Sequence, residues 1–187
     1  MESLPRCSAL PLGKALRLAR RARGLKQSHV AELVGVGQPI ISRIEHGEHA
    51  PSGHLRDRLV DLLSARLDPA QDSGLRRLIE TSSLPVHLIC DVTHRLLATS
   101  PAREREWGRS AAEACGISLW RYATEDIRDA EARLPSLGWG DRRGSHALAL
   151  TTSANGSTEL SIAAGPMLWE RIVLSDGSAA RLVTRPI

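Results

Sequence analysis

The 187-residue chain has no phenylalanine and three cysteines, and no apolar run that approaches the length of a membrane span. A transmembrane helix needs roughly 20 apolar residues in a row, so no membrane crossing is expected. Cys7, Cys90 and Cys115 form neither a Cys-x-x-Cys pair nor a Cys/His cluster with zinc-ligand spacing. That argues against a metal site and leaves buried free thiols in a reducing compartment as the expectation. The N-terminal MESLPRCSALPLG lacks a long apolar stretch followed by a cleavage site, so a cytoplasmic location is expected. Also missing are a Gly-x-Ser-x-Gly elbow, a Walker phosphate loop, a His-Glu-x-x-His zinc motif and a dinucleotide glycine fingerprint. The seven histidines and 21 acidic residues are scattered. Asp91 and His94 come close in sequence, but at a turn, where polar residues are ordinary. No enzymatic activity is expected.

The hydrophobic share of 42% is ordinary for a globular protein, and the length suits one large domain or two small ones. Charge is divided unevenly. Residues 1–66 carry 11 Lys+Arg against 6 Asp+Glu, whereas residues 67–187 carry 14 against 15, which together make the overall +4. A basic first third is what a polyanionic partner requires, although a solvated basic surface has the same composition.

That first third is also the most patterned. Leu12, Ala15, Leu16 and Ala19 repeat on one face of a helix ended by Gly24, with Lys14, Arg17, Arg21 and Arg23 opposite. A short second helix from Ser28 to Val34 turns Val30, Ala31 and Val34 inward. Gly35 permits a sharp turn. A third helix from Gln38 to His46 has Pro39 in its first turn and Ile41 and Ile44 toward the core, and Gly47 stops it. Ser52 is placed to cap a fourth, with Leu55, Leu59, Leu62 and Leu63 as its buried stripe.

Gln27, Ala31, Gly35 with Gln38, and the run Ile41-Ser42-Arg43-Ile44-Glu45-His46-Gly47 resemble the phage-repressor class of helix-turn-helix regulators, the XRE family. The resemblance implies an all-helical DNA-binding domain whose third helix enters the major groove. By it, Gln27 bonds a phosphate and Gln38 reads a base edge, adenine by bidentate geometry. Ile40 touches a thymine methyl or packs on the fourth helix, and Arg43 reaches guanine or a phosphate. Lys26, Arg17 and His46 are candidate backbone contacts. Arg20 and Glu45 match an internal ion pair of the class and are left out of the DNA-binding set. Lys26 and Gly37 stand where the class often has capping Ser or Thr. Pro39 stands where it often has a polar base-reading residue, so the operator is not expected to be that of a relative.

Asp68 to Gly74 (DPAQDSG) reads as a linker. Beyond it come a helix from Leu75 to Thr81, strands at Pro85 to Cys90 and Arg95 to Thr99, a charged helix from Ser100 to Ala114, and a short apolar stretch from Ser118 to Ala123. Thr124 caps a helix to Leu137. Strands are then expected at His146 to Thr152, Glu159 to Ala164, Leu168 to Leu174 and Ala179 to Thr184, the last two joined at Ser175-Asp176-Gly177. This order, and the HRLLATSPA segment, resemble a PAS domain. The haem-binding type places a histidine on the long helix, which has none here. The photoactive flavin type needs an Asn-Cys-Arg-Phe run, absent from a chain without phenylalanine. No cofactor is expected, and Trp120, Trp139 and Trp169 are read as core packing.

The expectation is an α+β chain: a helix-turn-helix bundle over residues 1–67, a linker over 68–74 and a PAS-like antiparallel sheet with flanking helices over 75–187. Its expected function is that of a bacterial-type transcription regulator, repressor or activator, binding a double-stranded DNA operator as a homodimer. The second half would dimerise the protein or sense a small-molecule or protein effector. The alternative is an antitoxin-like DNA-binding partner of a second protein.

Overall fold

A computed structural model describes residues 11–141, 144 and 146–186. Cys7, together with most of the N-terminal stretch quoted above, lies outside them. The chain is α+β. Four helices come first, α1 (Leu12–Ala22), α2 (Gln27–Leu33), α3 (Gln38–Glu45) and α4 (Gly53–Leu63). The predicted stripes meet in one core, where Leu16, Val30, Ile41, Ile44 and Leu59 are at most 1% exposed. Gly35 turns the chain from α2 to α3 at φ +65°. Gly13 permits a close crossing of α1 and α3, since a Cβ there would stand 1.9 Å from the Ile44 carbonyl oxygen. Ser52 occupies the N-cap position of α4, yet its side chain makes no capping bond.

A fifth helix, α5 (Ser73–Glu80), leads into β1 (Val86–Cys90) and β2 (Leu96–Thr99). Three helices follow, α6 (Pro101–Trp107), α7 (Ala111–Ala114) and α8 (Glu125–Arg133), with a single 3-10 turn at Leu119–Tyr122 before α8. The chain finishes with β3 (Ala147–Thr152), β4 (Gly165–Val173) and β5 (Ala179–Thr184). The five strands form one antiparallel sheet in the order β2-β1-β5-β4-β3. The last strand therefore lies beside the first, with Val86 opposite Thr184 and Cys90 opposite Ala180.

β1 is buried along its whole length, because its two faces serve two cores. Val86, Leu88 and Cys90 join the cluster that contains the residues of α1 to α4, while Ile89 joins a second cluster with Trp107, Ala130, Leu134 and Trp169. The helical N-terminal part and one face of the sheet thus share continuous apolar packing. Polar contacts run along the same seam. The Ala65 N–H lies 3.2 Å from the Cys90 sulfur. Asp72, in the segment read as a linker, accepts from the Ser175 N–H at 3.1 Å and from its hydroxyl at 3.0 Å.

Several local expectations are corrected. The helix from Ser100 to Ala114 breaks at Gly108, which adopts a left-handed φ of 66°, and restarts where Ser110 and Glu113 form a capping box. Glu159 to Ala164 alternates like a strand but is a loop, since Asn155 takes the place of a neighbouring strand. Its amide donates to the Tyr122 and Leu160 carbonyls, and its oxygen accepts from the Ser157 and Ile162 N–H groups. The helix from Thr124 ends at Arg133 rather than Leu137. Cys115, expected inside, is exposed after the single turn of α7.

The turn after β1 is the largest departure. Asp91 and His94 are 2% and 4% exposed rather than solvated. Asp91 Oδ1 accepts from Arg181 Nε at 2.9 Å and Nη2 at 2.6 Å, and Arg181 Nη1 donates to Glu131 Oε2 at 2.6 Å. The second Asp91 oxygen accepts from Trp139 Nε1 at 2.9 Å. Arg181 is itself flanked by the Trp169 and Trp139 rings, at 4.5 and 5.3 Å. Burial disfavours every charge here, but the pairing outweighs it. Arg181 is held above its ordinary pKa by Asp91 and Glu131, and Glu131 below its own by Arg181 and His94.

Replacing Arg181 by Leu would leave two carboxylates buried without their cation. The expected loss is about 3–5 kcal/mol of folding stability, measured by urea unfolding. A loss below about 1 kcal/mol, the scale of an exposed pair, would contradict the role given to this cluster.

Candidate nucleic-acid interface

α3 turns Ile41 and Ile44 into the core and presents its other side outward. Gln38, Pro39, Arg43 and His46 are exposed, whereas Ile40 is half-buried and packs against the core edge. Beneath this surface a chain of hydrogen bonds ties three helices together. Arg20 of α1 donates to both oxygens of Glu45 at the end of α3, Nε at 2.6 Å and Nη2 at 2.9 Å. Its remaining nitrogen reaches the Leu25 carbonyl at 2.9 Å. Gln27, the first residue of α2, donates to Glu45 Oε2 at 2.9 Å and accepts from Gln38 Nε2 at 2.7 Å. The internal pair expected from Arg20 and Glu45 is therefore present, and Gln27 and Gln38 extend it to the outward surface.

This arrangement sets the electrostatics of α3. The Glu45 side chain is 1% exposed. Burial would raise its pKa, but hydrogen bonds from Arg20 and Gln27 outweigh that and hold the carboxyl below its ordinary range. Glu45 stays ionised and paired with Arg20 inside the bundle, while Arg43 and Lys26 are exposed. His46 ends α3 with Nδ1 2.8 Å from the Ser42 carbonyl, so Nδ1 carries the hydrogen. Lys26 is exposed at the N-cap of α2 and Arg17 is half-buried on α1. Neither Lys26 nor Gly37 supplies a side-chain cap to the helix it precedes. Gln38, Pro39, Arg43 and His46 are thus gathered on α3, with Lys26 and Gln27 at the start of α2.

The second half holds a feature the sequence reading missed. A cavity of about 60 Å³ lies between the inner face of the sheet and the helices beyond β2, walled by Ile89, Trp107, Trp120, Ile127, Trp169 and Val183. Five polar side chains also border it, His87, His94, Arg103, Glu131 and Arg181. His87 packs on the Trp107 ring at 4.8 Å, and burial together with the Arg103 charge pushes its pKa well below the ordinary value. The imidazole is therefore neutral at pH 7. The signal was a histidine in the middle of the apolar run PVHLIC, on the face opposite Leu88.

A family profile described as a helix-turn-helix domain matches residues 11–71. No curated protein matches the chain. Among solved structures it is similar to the PAS domain of an HTR-like protein from Haloarcula marismortui, at 16% identity and a TM-score of 0.45, over 62% of this chain and 95% of that one. A variant of RsLOV is 15% identical at a TM-score of 0.46, over 64% and 69% of the two chains. An RNA-binding light-oxygen-voltage receptor is 15% identical at 0.45, over 92% of this chain and 58% of that one. Among the described residues, no helix is long and apolar enough to cross a membrane.

The depressed pKa of Glu45 carries a stability consequence with a definite sign. A carboxyl whose folded pKa lies below its unfolded value contributes stability above the unfolded value, about 4.3 for Glu. The contribution is lost as pH falls toward the folded pKa. Thermal unfolding followed from pH 7 to pH 3 should therefore show a falling midpoint on the acid side. Glu45→Gln should have a lower midpoint at pH 7 and a shallower acid decline. An unchanged acid slope would remove Glu45 from the ion pair.

Proposed function

We propose that this chain is a sequence-specific transcription regulator of the XRE type, which reads duplex DNA with the outward face of α3. The observation that carries the reading is the bracing of α3 by Arg20, Glu45, Gln27 and Gln38, beneath an exposed surface that bears Arg43. A reading helix must keep its side chains in register with base edges, and the braced helix is fixed from both neighbours before DNA arrives. The expected direct contacts are Gln38 and Arg43 on base edges, with Ile40 at a thymine methyl. Pro39 shapes the start of the helix, and Lys26, Gln27, Arg17 and His46 lie along the sugar-phosphate backbone. Beside that backbone contact, Gln27 also orients the Gln38 side chain.

One such helix covers a short half-site, and a two-fold operator needs two of them about 34 Å apart. The protein accordingly acts as a homodimer, with its PAS-like half supplying the dimer contact or the sensing site. The cavity between sheet and helices favours sensing.

The test is selection of bound duplexes from a random library with the full chain, followed by affinity measurement on the best sequence. Arg43→Ala should weaken binding by about 1–3 kcal/mol and relax the preference at one base position. Binding without sequence preference, or an Arg43→Ala variant with unchanged affinity and footprint, would overturn the reading.

A further inference from the structure

The cavity and the DNA-reading helices are joined by a short path of direct contacts. Glu131 and Arg181 border the cavity, and both belong to the buried cluster around Asp91. Asp91 holds the indole N–H of Trp139, a side chain with no exposed surface. Trp139 sits in a tight turn after α8, where its N–H donates to the Leu134 carbonyl at 3.0 Å and the Asp141 N–H donates to that of Gly138 at 2.8 Å. The two residues after Trp139 meet α1. A Cβ on Gly140 would lie 3.3 Å from Leu18 Cδ1, and Asp141 Oδ2 pairs with Lys14 Nζ at 3.1 Å.

The opposite end of α1 is held by the same half of the chain. Arg23 donates to the Asp176 carboxylate at 3.1 Å, to the Asp176 carbonyl at 3.0 Å and to the Leu62 carbonyl at 2.8 Å. Between Lys14 and Arg23 lies Arg20, whose guanidinium fixes Glu45 and with it the end of α3. Displacing α1 therefore moves the brace of the reading helix.

We propose that Trp139, Gly140 and Asp141 form the coupling element through which filling the cavity changes operator binding. The proposal rests on the regulator reading above and adds the route of its regulation. A group in the cavity presses on Glu131, Arg181 and Trp169, which are close-packed and charge-paired. Arg181 cannot move without carrying Asp91, and Asp91 cannot move without carrying Trp139. Trp139 has one backbone step to Gly140 and two to Asp141, so its displacement reaches α1 with little slack. The Lys14 and Asp141 side chains are 35% and 46% exposed, so their pair adds a modest tether to the packing of Gly140 against Leu18.

About 10–15 Å³ of cavity volume already holds one water, so the cavity takes a small group and an enlarged side chain is an apt probe. Ala123→Leu adds three carbons at the cavity wall, and Ile162→Phe is a second filler at a different wall position. Each is measured in the full chain for its Kd on the selected duplex and for hydrogen exchange of the α1 amides. Each is then measured again with Trp139→Phe, which keeps an aromatic ring but removes the pyrrole part of the indole with its N–H, and with Asp141→Asn. A filler should change the Kd at least fivefold and alter α1 exchange, and either second substitution should reduce the Kd change to less than twofold. A purely structural role for Trp139 predicts a lower unfolding midpoint with the filler's effect on Kd undiminished, and that result overturns the proposal. So does a filler pair that folds and leaves both Kd and α1 exchange unchanged. If the unmodified chain binds no duplex, the regulator reading falls with it. If it binds and the filler effect ignores both second substitutions, the coupling alone falls.

Discussion

Arg181 lies inside the protein between two carboxylates, and all three side chains are at most 2% exposed. Leaving such a cation in the interior costs several kcal/mol unless all its donors are used. Here Nε and Nη2 go to Asp91 and Nη1 goes to Glu131. Satisfying them demands that three distant parts of the chain converge on β5. The turn after β1 must fold inward to bring Asp91, α8 must present Glu131 to the sheet, and the segment after α8 must return so that Trp139 occupies the second Asp91 oxygen. The turn after β1, α8 and the Trp139 turn thus meet at one buried guanidinium on β5. The cavity adjoins it, since two of its walls are members of that cluster.

The N-terminal helices were legible because each signal there is local. Apolar residues at helical spacing gave the inward faces, and Gly24, Gly35 and Gly47 sit at the turns with φ between 64° and 77°. The resemblance to a known class supplied Arg20 and Glu45 as a pair, which spacing alone does not give. What it missed was the link from Glu45 through Gln27 to Gln38, because a glutamine at a helix start serves equally well as a backbone contact or as a spacer between side chains.

The second half was legible in its order and misleading in its details, for a physical reason. Local patterns assume that polar turn residues face water and that alternating segments pair as strands. Asp91 and His94 break the first assumption because their partners, Arg181 and Glu131, are 90 and about 40 residues away in sequence. Leu160 and Ile162 break the second, since both turn inward from a loop whose backbone is satisfied by the Asn155 side chain rather than by a neighbouring strand. In each case a single side chain does the work expected of solvent or of a ladder, and no periodicity records it.

The shared core constrains how the two halves act on one another. Leu16, Ile41 and Leu59 from the helical part pack in the same cluster as Leu88 and Ala180 from the sheet. Separating them would expose buried apolar surface at about 25 cal/mol per Å², and would strand Asp72 and Arg23 away from their partners at Ser175 and Asp176. A large swing of the N-terminal helices away from the sheet is therefore opposed by the packing itself. Small displacements of α1 along the seam are not, since the contacts at its two ends, Lys14 with Asp141 and Arg23 with Asp176, each include a carboxylate that is about half exposed. Close-packed interfaces are bistable rather than continuously deformable, so sub-ångström shifts can be amplified across them. A shift of that size at α1 matters because Arg20 projects from it to the carboxylate that ends α3.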